Sequence, residues 1–182
     1  MSVSVGFPAA VAALCYFDKT GSAAMCLYAA LLHEAAHIGV LRWCGAVPRS
    51  LTFGAFGMRM ELPLLSYTAA ATVAAAGPLC NLLFAVLSAC GGWRVSLLAH
   101  LALGVFNLLP IYPLDGGQVL FCLAANKRGE TTAKTLCVLA ASAVILPLFA
   151  AAWWLFLSTG YNVSLFLLCG YLIFLLFFGK KH

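Results

Sequence analysis

Long apolar runs recur along the chain as far as residue 179, and they carry almost no charge. Of the 182 residues, 64% are hydrophobic and only 8% are charged, whereas a soluble domain carries about 25% charged residues. So few charges cannot cover a surface that faces water, and the recurrence of the runs excludes a signal peptide followed by a soluble domain. The chain is therefore predicted to be an integral membrane protein.

Six apolar segments are predicted to be helices, because a backbone that crosses a bilayer must satisfy its own hydrogen bonds. They cover residues 3–17, 21–41, 67–91, 95–124, 135–157 and 162–179. Most are near the roughly 20 residues needed to cross the hydrocarbon core, although the first is short and the fourth is long and broken. We expect a single all-α membrane domain over residues 1–182 with about six transmembrane helices.

The ten basic residues are distributed unevenly between the segments. Only Lys19 and Arg94 fall on one side of the predicted membrane. The others follow the second, fourth or sixth segment: Arg42, Arg49, Arg59, Lys127, Arg128, Lys134, Lys180 and Lys181. Because cytoplasmic loops carry the excess of Lys and Arg, both termini are predicted to be cytoplasmic. This placement explains the positive charge without a nucleic-acid partner.

Three ionisable residues, His33, Glu34 and His37, interrupt the second apolar segment within LLHEAAHIGV. Helical positions four apart lie on one face, so the two imidazoles can bind one metal with Glu34 beside them. This is the H-E-x-x-H arrangement of zinc peptidases, in which the glutamate is the general base. The alternative is a set of buried polar side chains that hydrogen-bond between helices. Ionisable groups at membrane depth are costly and usually functional, which favours the metal site.

Asp115 is the predicted third ligand, since catalytic zinc usually takes three protein ligands and keeps a position for water. Apart from Glu34, it is the one acidic residue of the five that lies inside an apolar segment. At about 1.5 Å per residue, the histidine pair lies some 8–14 Å from the cytoplasmic surface and Asp115 at most about 18 Å. Both approach from the same side at comparable depth. The alternative is an incidental aspartate beside a proline kink.

The aspartate lies within NLLPIYPLDGGQ, which is predicted to interrupt the fourth helix. Pro110 and Pro113 remove backbone donors, and with Asn107, Gly116 and Gly117 they explain how the aspartate can reach the site. A broken helix is tolerated in a membrane where it lines a cavity or is buried in protein. Asn107 and the freed carbonyls are candidates to hold water or a substrate backbone.

A third motif, AAAGPLCN, puts Gly77, Pro78 and Asn81 in the third apolar segment. Small residues permit close helix packing, which is a structural explanation for Gly77 and Pro78. Asn81 is either a hydrogen-bonding group that faces the site or a link between helices. His100 is predicted to be an interfacial side chain rather than a ligand, since about 22 Å of helix separates it from Asp115.

Three motifs together resemble the site-2 protease family of intramembrane zinc metalloproteases, peptidase family M50. They are HEAAH at 33–37, AGPLCN at 76–81 and NLLPIYPLDGG at 107–117. Their order and membrane placement agree with the family over a catalytic core of about residues 21–124. The resemblance implies hydrolysis of a peptide bond within or next to a transmembrane segment of a membrane-tethered protein. It implies regulated intramembrane proteolysis at a bacterial plasma membrane, by a minimal form without a PDZ or CBS domain.

The resemblance also implies roles for individual residues. His33, His37 and Asp115 would bind one zinc ion per chain, and Glu34 would move protons between the attacking water and the leaving amine. The resemblance also suggests that Asn81 and Asn107 help to line the substrate path. The other residues predicted to support the site, from their own motifs, are Gly77, Pro78, Pro110, Pro113 and Gly116. The expected partners are a protein substrate, the lipid bilayer and membrane-protein regulators, with no nucleic acid.

In that family a membrane-associated β-loop follows the H-E-x-x-H helix, and SLTFGAFGMRMEL at 50–62 is the candidate here. Its partial alternation of apolar residues is compatible with short strands, and an exposed strand edge can pair with an extended substrate. The alternative is an interfacial loop anchored by Arg49 and Arg59.

Two other functions would use the same residues differently. A multi-pass transporter would carry metal ions or protons through the buried His, Glu and Asp cluster, since broken helices also mark transporter sites. A membrane scaffold would bind zinc only for stability. Glu34 separates these functions from a peptidase. A peptidase needs its carboxylate although it is not a metal ligand, whereas a structural site tolerates glutamine there.

Overall fold

A computed structural model of the chain describes residues 2–3, 18, 20–48, 50–54, 57–61, 64–159 and 163–178. The chain divides into two compact units, residues 1–106 and 107–182. Six helices and three short strands lie in the described part of the chain. A single catalytic domain over residues 1–182 stays a prediction.

Three helices lie in or begin in the first unit. They are α1 (Ser22–Trp43), α2 (Tyr67–Cys90) and α3 (Arg94–Asn107). The bounds of α1 and α2 confirm the second and third predicted segments within two residues. The Ser66 side chain accepts a hydrogen bond from the Ala69 amide and so caps α2, since an N-cap oxygen satisfies a backbone donor of the first turn.

One buried stripe of α1 packs against α2. Its members are four residues apart: Ala29, His33, His37 and Leu41. Residues at this spacing share one face of a helix, so the two histidines belong to the packed face although they are polar. The apolar ends of the stripe, Ala29 and Leu41, are fully buried and enclose the pair.

Three short strands also lie in the first unit: β1 (Ser2–Val3), β2 (Ser50–Gly54) and β3 (Gly57–Glu61). The last two form an antiparallel hairpin with Thr52 opposite Arg59, and β1 runs parallel to β2. The hairpin lies where the partial alternation predicted short strands, and its association with the membrane stays a prediction. Apart from Val3, the first predicted segment, 3–17, lies outside the described residues.

The second unit contains three helices in the order α4 (Asp115–Arg128), α5 (Glu130–Thr159) and α6 (Ser164–Phe178). The α4 helix packs against α5, and α5 packs against α6. The predicted break in the fourth segment is confirmed, because residues 108–114 between α3 and α4 form turns and bends rather than helix. Each side of the break is a helix of 14 residues.

Helices α1, α2 and α5 are long and apolar enough to cross a membrane. Helix α3 and residues 164–174 of α6 are apolar but shorter. Large apolar side chains point outward from the spans; Leu83 on α2 is 58% exposed and Trp154 on α5 is 75% exposed. Contiguous apolar surface of this kind suits contact with lipid rather than water. The described helices therefore support a membrane location, and six spans remain a prediction.

Candidate metal centre

His33 and His37 lie one turn apart on α1, and both side chains are at least nine-tenths buried. Their Nε2 atoms are 3.1 Å apart, and their rings meet edge to face at a centroid distance of 4.8 Å. Two nitrogens about 2.0–2.1 Å from one tetrahedral zinc ion lie about 3.3 Å from each other. The pair therefore already has nearly the spacing that a shared zinc ion requires.

The orientation of His37 is fixed by the backbone of α2. Its Nδ1 atom donates a hydrogen bond to the carbonyl of Val73 across 2.7 Å, and a carbonyl can only accept. In the neutral ring the proton is then on Nδ1 and the lone pair is on Nε2. Metal-binding histidines are commonly held in this way by a carbonyl at the other ring nitrogen.

The orientation of His33 depends on Asn81, which is fully buried on α2. The Asn81 amide nitrogen donates to Nδ1 of His33 across 3.0 Å, and its oxygen accepts from Nδ1 of His100 across 3.1 Å. The sequence left two roles open for Asn81, and the structure shows both. It faces the histidine pair, and it links α1, α2 and α3.

His100 corrects a prediction, since the sequence placed it as an interfacial side chain. It is instead completely buried, with its ring stacked on Phe84 at 5.3 Å and meeting the edge of Tyr28 at 6.3 Å. Its Nε2 atom has no hydrogen-bond partner among the described residues. His100 is an ionisable residue inside an apolar helix, and such residues are usually buried and functional. The long distance along the helix to Asp115 led to the wrong prediction.

Gly77 leaves open the space beside the two ring nitrogens. A Cβ atom at this position would lie 2.7 Å from Nε2 of His33 and would also collide with Nε2 of His37. The sequence explained Gly77 by helix packing. In the structure, the side of Gly77 where a side chain would begin faces the candidate site. Pro78 follows it inside α2 and is also fully buried. Two imidazole nitrogens around a gap that a methyl group would fill suit a bound metal ion.

The two carboxylates of the predicted site lie in different units. Glu34 follows His33 on α1 and is half-buried. Asp115 is the first residue of α4 and is also half-buried. Its position in the first turn is favourable, because the positive end of the helix dipole stabilises a carboxylate there. The imidazoles and this carboxylate are the ligand types that catalytic zinc takes.

Gly116 and Gly117 let the non-helical stretch lie directly on the first turn of α4. A Cβ at Gly116 would collide with the carbonyl oxygen of Leu108, and a Cβ at Gly117 would lie 2.5 Å from the Tyr112 nitrogen. Neither backbone atom can move away as a flexible side chain could. These two glycines therefore fix the path of the chain on either side of Asp115.

The polar and proline residues of this stretch have distinct positions. Asn107 is the last residue of α3, and Pro110 and Pro113 are half-buried in the turns that follow. The Tyr112–Pro113 peptide bond is cis. The Gln118 side chain donates to the Pro113 carbonyl across 3.0 Å and ties the turn to α4.

Comparison with known proteins gives the same family from sequence and the same fold from structure. The family model of peptidase family M50 matches residues 93–150, which include the interrupted stretch and Asp115. The chain is 31% identical over 145 residues to Rip3 of Mycobacterium tuberculosis, which is named as a zinc metalloprotease, in the Erdman and H37Rv strains. That match covers 69% of this chain but 36% of the relative, so the chain spans about a third of the relatives' length.

The structure is similar to that of the site-2 protease from Methanocaldococcus jannaschii, with a TM-score of 0.65. The match covers 94% of this chain and 86% of the other. Because the sequence identity is only 19%, the match supports a shared fold and nothing more. The sequence matches confirm the resemblance that the three motifs carried. The chain belongs to peptidase family M50.

Proposed function

We propose that this protein is an intramembrane zinc metalloprotease that hydrolyses a peptide bond within or next to a transmembrane segment of a membrane-tethered protein. One observation carries the proposal: the Nε2 atoms of His33 and His37 lie 3.1 Å apart beside the gap at Gly77, with Glu34 next in sequence to His33. Membership of the peptidase family supports the same activity. No observation favours the transporter alternative.

Zinc is the proposed cofactor, with His33, His37 and Asp115 as its protein ligands. The name of the Mycobacterium relative and the ligand types support this choice. When bound, zinc supplies a Lewis acid that polarises the scissile carbonyl and lowers the pKa of a water molecule to about 7. One ion per chain is proposed, since three protein ligands leave a single position open for water.

Glu34 is the proposed general base and then the general acid. Its carboxylate accepts a proton from the attacking water and afterwards gives that proton to the leaving amine. The half-buried position of Glu34 suits this role, because partial exclusion of water strengthens the interactions of a carboxylate. General acid–base catalysis of this kind contributes roughly 10²–10⁴-fold to a rate.

The supporting residues are proposed to act through position rather than chemistry. Gly77 keeps the metal space open, and Asn81 holds His33. Gly116 fixes the chain beside Asp115, which is why no larger residue is expected there. The residues proposed to shape the substrate path are Asn107, Pro78, Pro110 and Pro113.

The proposal also includes the orientation of the chain in the membrane and the way in which a substrate binds. Both termini are proposed to be cytoplasmic because of the distribution of Lys and Arg, and the membrane is proposed to be a bacterial plasma membrane. The β3 strand pairs only with β2 among the described strands, so its other edge is proposed to pair with an unwound substrate segment. A locally unwound substrate is required because a helix hides its carbonyls in hydrogen bonds. Membrane-protein regulators are the other proposed partners.

The test compares purified wild-type protein with Glu34→Gln in zinc content and in cleavage of several membrane-tethered substrates. Glu34→Gln is expected to keep its zinc and to lose roughly 10²–10⁴-fold in cleavage rate. Glu130→Gln is the matched control, because it makes the same chemical change at an exposed position in the first turn of α5. It should behave as the wild type in both measurements.

Other results would point elsewhere. Equal cleavage by wild type and Glu34→Gln would contradict the role of this carboxylate. Zinc retained in both proteins without cleavage of any substrate by the wild type would favour a structural zinc site. Metal or proton flux into sealed vesicles, without a cleaved product, would favour a transporter.

A further inference from the structure

We infer that Asn81 and His100 form a positioning relay for the proposed metal ligand His33. His100 orients the Asn81 amide, and the amide selects which nitrogen of His33 faces the metal. The inference rests on the proposed zinc site and goes beyond it, because neither residue is a ligand or a base. It is based on three buried polar side chains, His33, Asn81 and His100, which are connected by hydrogen bonds of 3.0 and 3.1 Å.

The proton on His33 must change place when a metal binds. In the structure the Asn81 amide nitrogen donates to Nδ1 of His33, so the neutral ring has its proton on Nε2. That proton points at the lone pair of His37 Nε2, 3.1 Å away. A metal ligand needs its lone pair at Nε2, so the proton of His33 must then be on Nδ1.

A half-turn of the Asn81 amide provides the acceptor that this proton needs. The half-turn exchanges the amide oxygen and nitrogen, so the oxygen accepts from Nδ1 of His33 and the nitrogen faces His100. Asn81 has no exposed surface, so water cannot replace either bond. An amide left between two donors would lose a buried hydrogen bond, which is unfavourable because no water replaces it.

His100 can match the Asn81 amide in both orientations. A neutral imidazole has one donor nitrogen and one acceptor nitrogen, and the two can exchange. Nδ1 of His100 donates to the Asn81 oxygen in the structure, and it accepts from the amide nitrogen after the half-turn. The proton then sits on Nε2, where no described residue forms a hydrogen bond that would be broken. Each ring gives one proton to water and takes one back at its other nitrogen, so each carries one proton before and after the change and no net proton is gained or lost.

Aromatic contacts keep the His100 ring directed at Asn81. The ring is nearly parallel to Phe84, at 20°, and nearly perpendicular to Tyr28, at 86°. Rotation of the ring would break both its stacking on Phe84 and its hydrogen bond to Asn81. The ring is therefore fixed in place while its protons remain exchangeable.

The test measures zinc affinity by competition with a chelator, together with the visible absorption spectrum of the cobalt-substituted protein. His100→Asn places a polar atom near the position of Nδ1, whereas His100→Gln places one near Nε2 and His100→Leu places none. We expect His100→Leu and His100→Gln to bind zinc roughly 10-fold more weakly, as is typical when a partner of a metal ligand is lost. His100→Asn should keep the wild-type affinity and cobalt spectrum.

Ser88→Ala is the matched control for a merely structural role. Ser88 is buried on α2 and hydrogen-bonds Ser96 on α3 across 2.7 Å, so it links the same two helices through a bond that involves no histidine. Its loss should leave zinc affinity unchanged. If His100→Leu does not fold, the comparison of His100→Asn with His100→Gln still decides, because equal zinc affinities in these two variants overturn the relay.

Failure of the relay is distinguishable from failure of the proposed function. A wild-type protein that holds no zinc, or a His33→Ala variant that holds as much as the wild type, overturns the zinc site and the relay together. A wild-type protein that binds zinc at His33 while folded His100→Leu keeps the same affinity and cobalt spectrum overturns the relay alone.

Discussion

The Nδ1 atom of His37 donates to the backbone carbonyl of Val73 across 2.7 Å, so one nitrogen of the candidate metal centre is positioned by the main chain of a neighbouring helix. Val73 begins a stripe on α2 that continues through Gly77 and Asn81 at intervals of four residues. These three positions provide an acceptor, a gap and an amide on successive turns of one helix face. The stripe on α1 that carries both histidines lies against it. The centre is thus built by two helix faces with the same period.

Substitution of Gly77 by alanine should weaken metal binding. The new methyl group would lie against both Nε2 atoms, in the space that the metal needs. We expect zinc affinity to fall roughly 10-fold or more, as for loss of a residue that supports a metal ligand. Zinc per chain, measured by elemental mass spectrometry after equilibration with a chelator, checks this.

Gly39→Ala is the control for the Gly77 substitution. It makes the same change inside α1, and a Cβ there would have nothing within 4 Å. Alanine in place of glycine raises helix stability by about 1 kcal/mol, so this variant should unfold at the same or a higher temperature and keep its zinc. Normal zinc binding by Gly77→Ala would show that the ring nitrogens have room to separate.

Much of the fold follows from local sequence. Apolar length and the basic flanks predict α1 and α2 within two residues, and the prolines between Asn107 and Asp115 predict the break between α3 and α4. These features depend on hydrogen bonds within one helix or on their loss. The H-E-x-x-H spacing likewise places both histidines on one face, because the helical period alone decides it.

The surroundings of His33 and His37 could not be predicted in the same way. The Val73 carbonyl is main chain, which every residue has, so no residue type indicates it. The burial of His100 depends on which helix packs against α2, and the periodicity of α3 alone does not reveal its neighbour. Gly77 was explained by packing, since only the opposing ring nitrogens show why a Cβ is excluded.

Substitution of Gly116 by alanine should destabilise the turn that precedes α4. The added Cβ would collide with the carbonyl of Leu108, which is main chain and cannot rotate away. Overpacking of this kind usually costs about 1–3 kcal/mol, so the unfolding temperature in detergent should drop. Gly170→Ala in α6 is the control, because a Cβ at that position meets nothing within 4 Å. Equal unfolding temperatures for the two variants would contradict the close packing at Gly116.

Asp18 should make the stability of the α1 N-terminus depend on pH. Hydrogen bonds from the Thr20 hydroxyl and then from the Ala23 and Thr20 amides lower the pKa of Asp18 from 3.8 to about 2. Because the pKa is lower in the folded protein, the ionised carboxylate stabilises the fold above about pH 4. This contribution is lost as the pH falls towards 2.

Thermal unfolding of wild type and Asp18→Asn at several pH values between 2 and 6 tests this prediction. The wild type should be the more stable protein at pH 5 to 6, and the difference should shrink steadily as Asp18 is protonated. Other carboxylates also titrate in this range, but they are common to both proteins and cancel in the difference. A difference that is the same at pH 2 and pH 6 would show that the carboxylate charge does not contribute.

The predicted orientation in the membrane can be tested with two native cysteines. Cys44 directly follows α1 and Cys90 ends α2; both are exposed free thiols, and the distribution of basic residues places them on opposite sides of the membrane. In intact cells, a membrane-impermeant maleimide should label a variant that keeps only Cys90. A variant that keeps only Cys44 should be labelled only after the membrane is permeabilised. The reverse pattern would invert the chain and place the HEAAH end of α1 nearer the external surface.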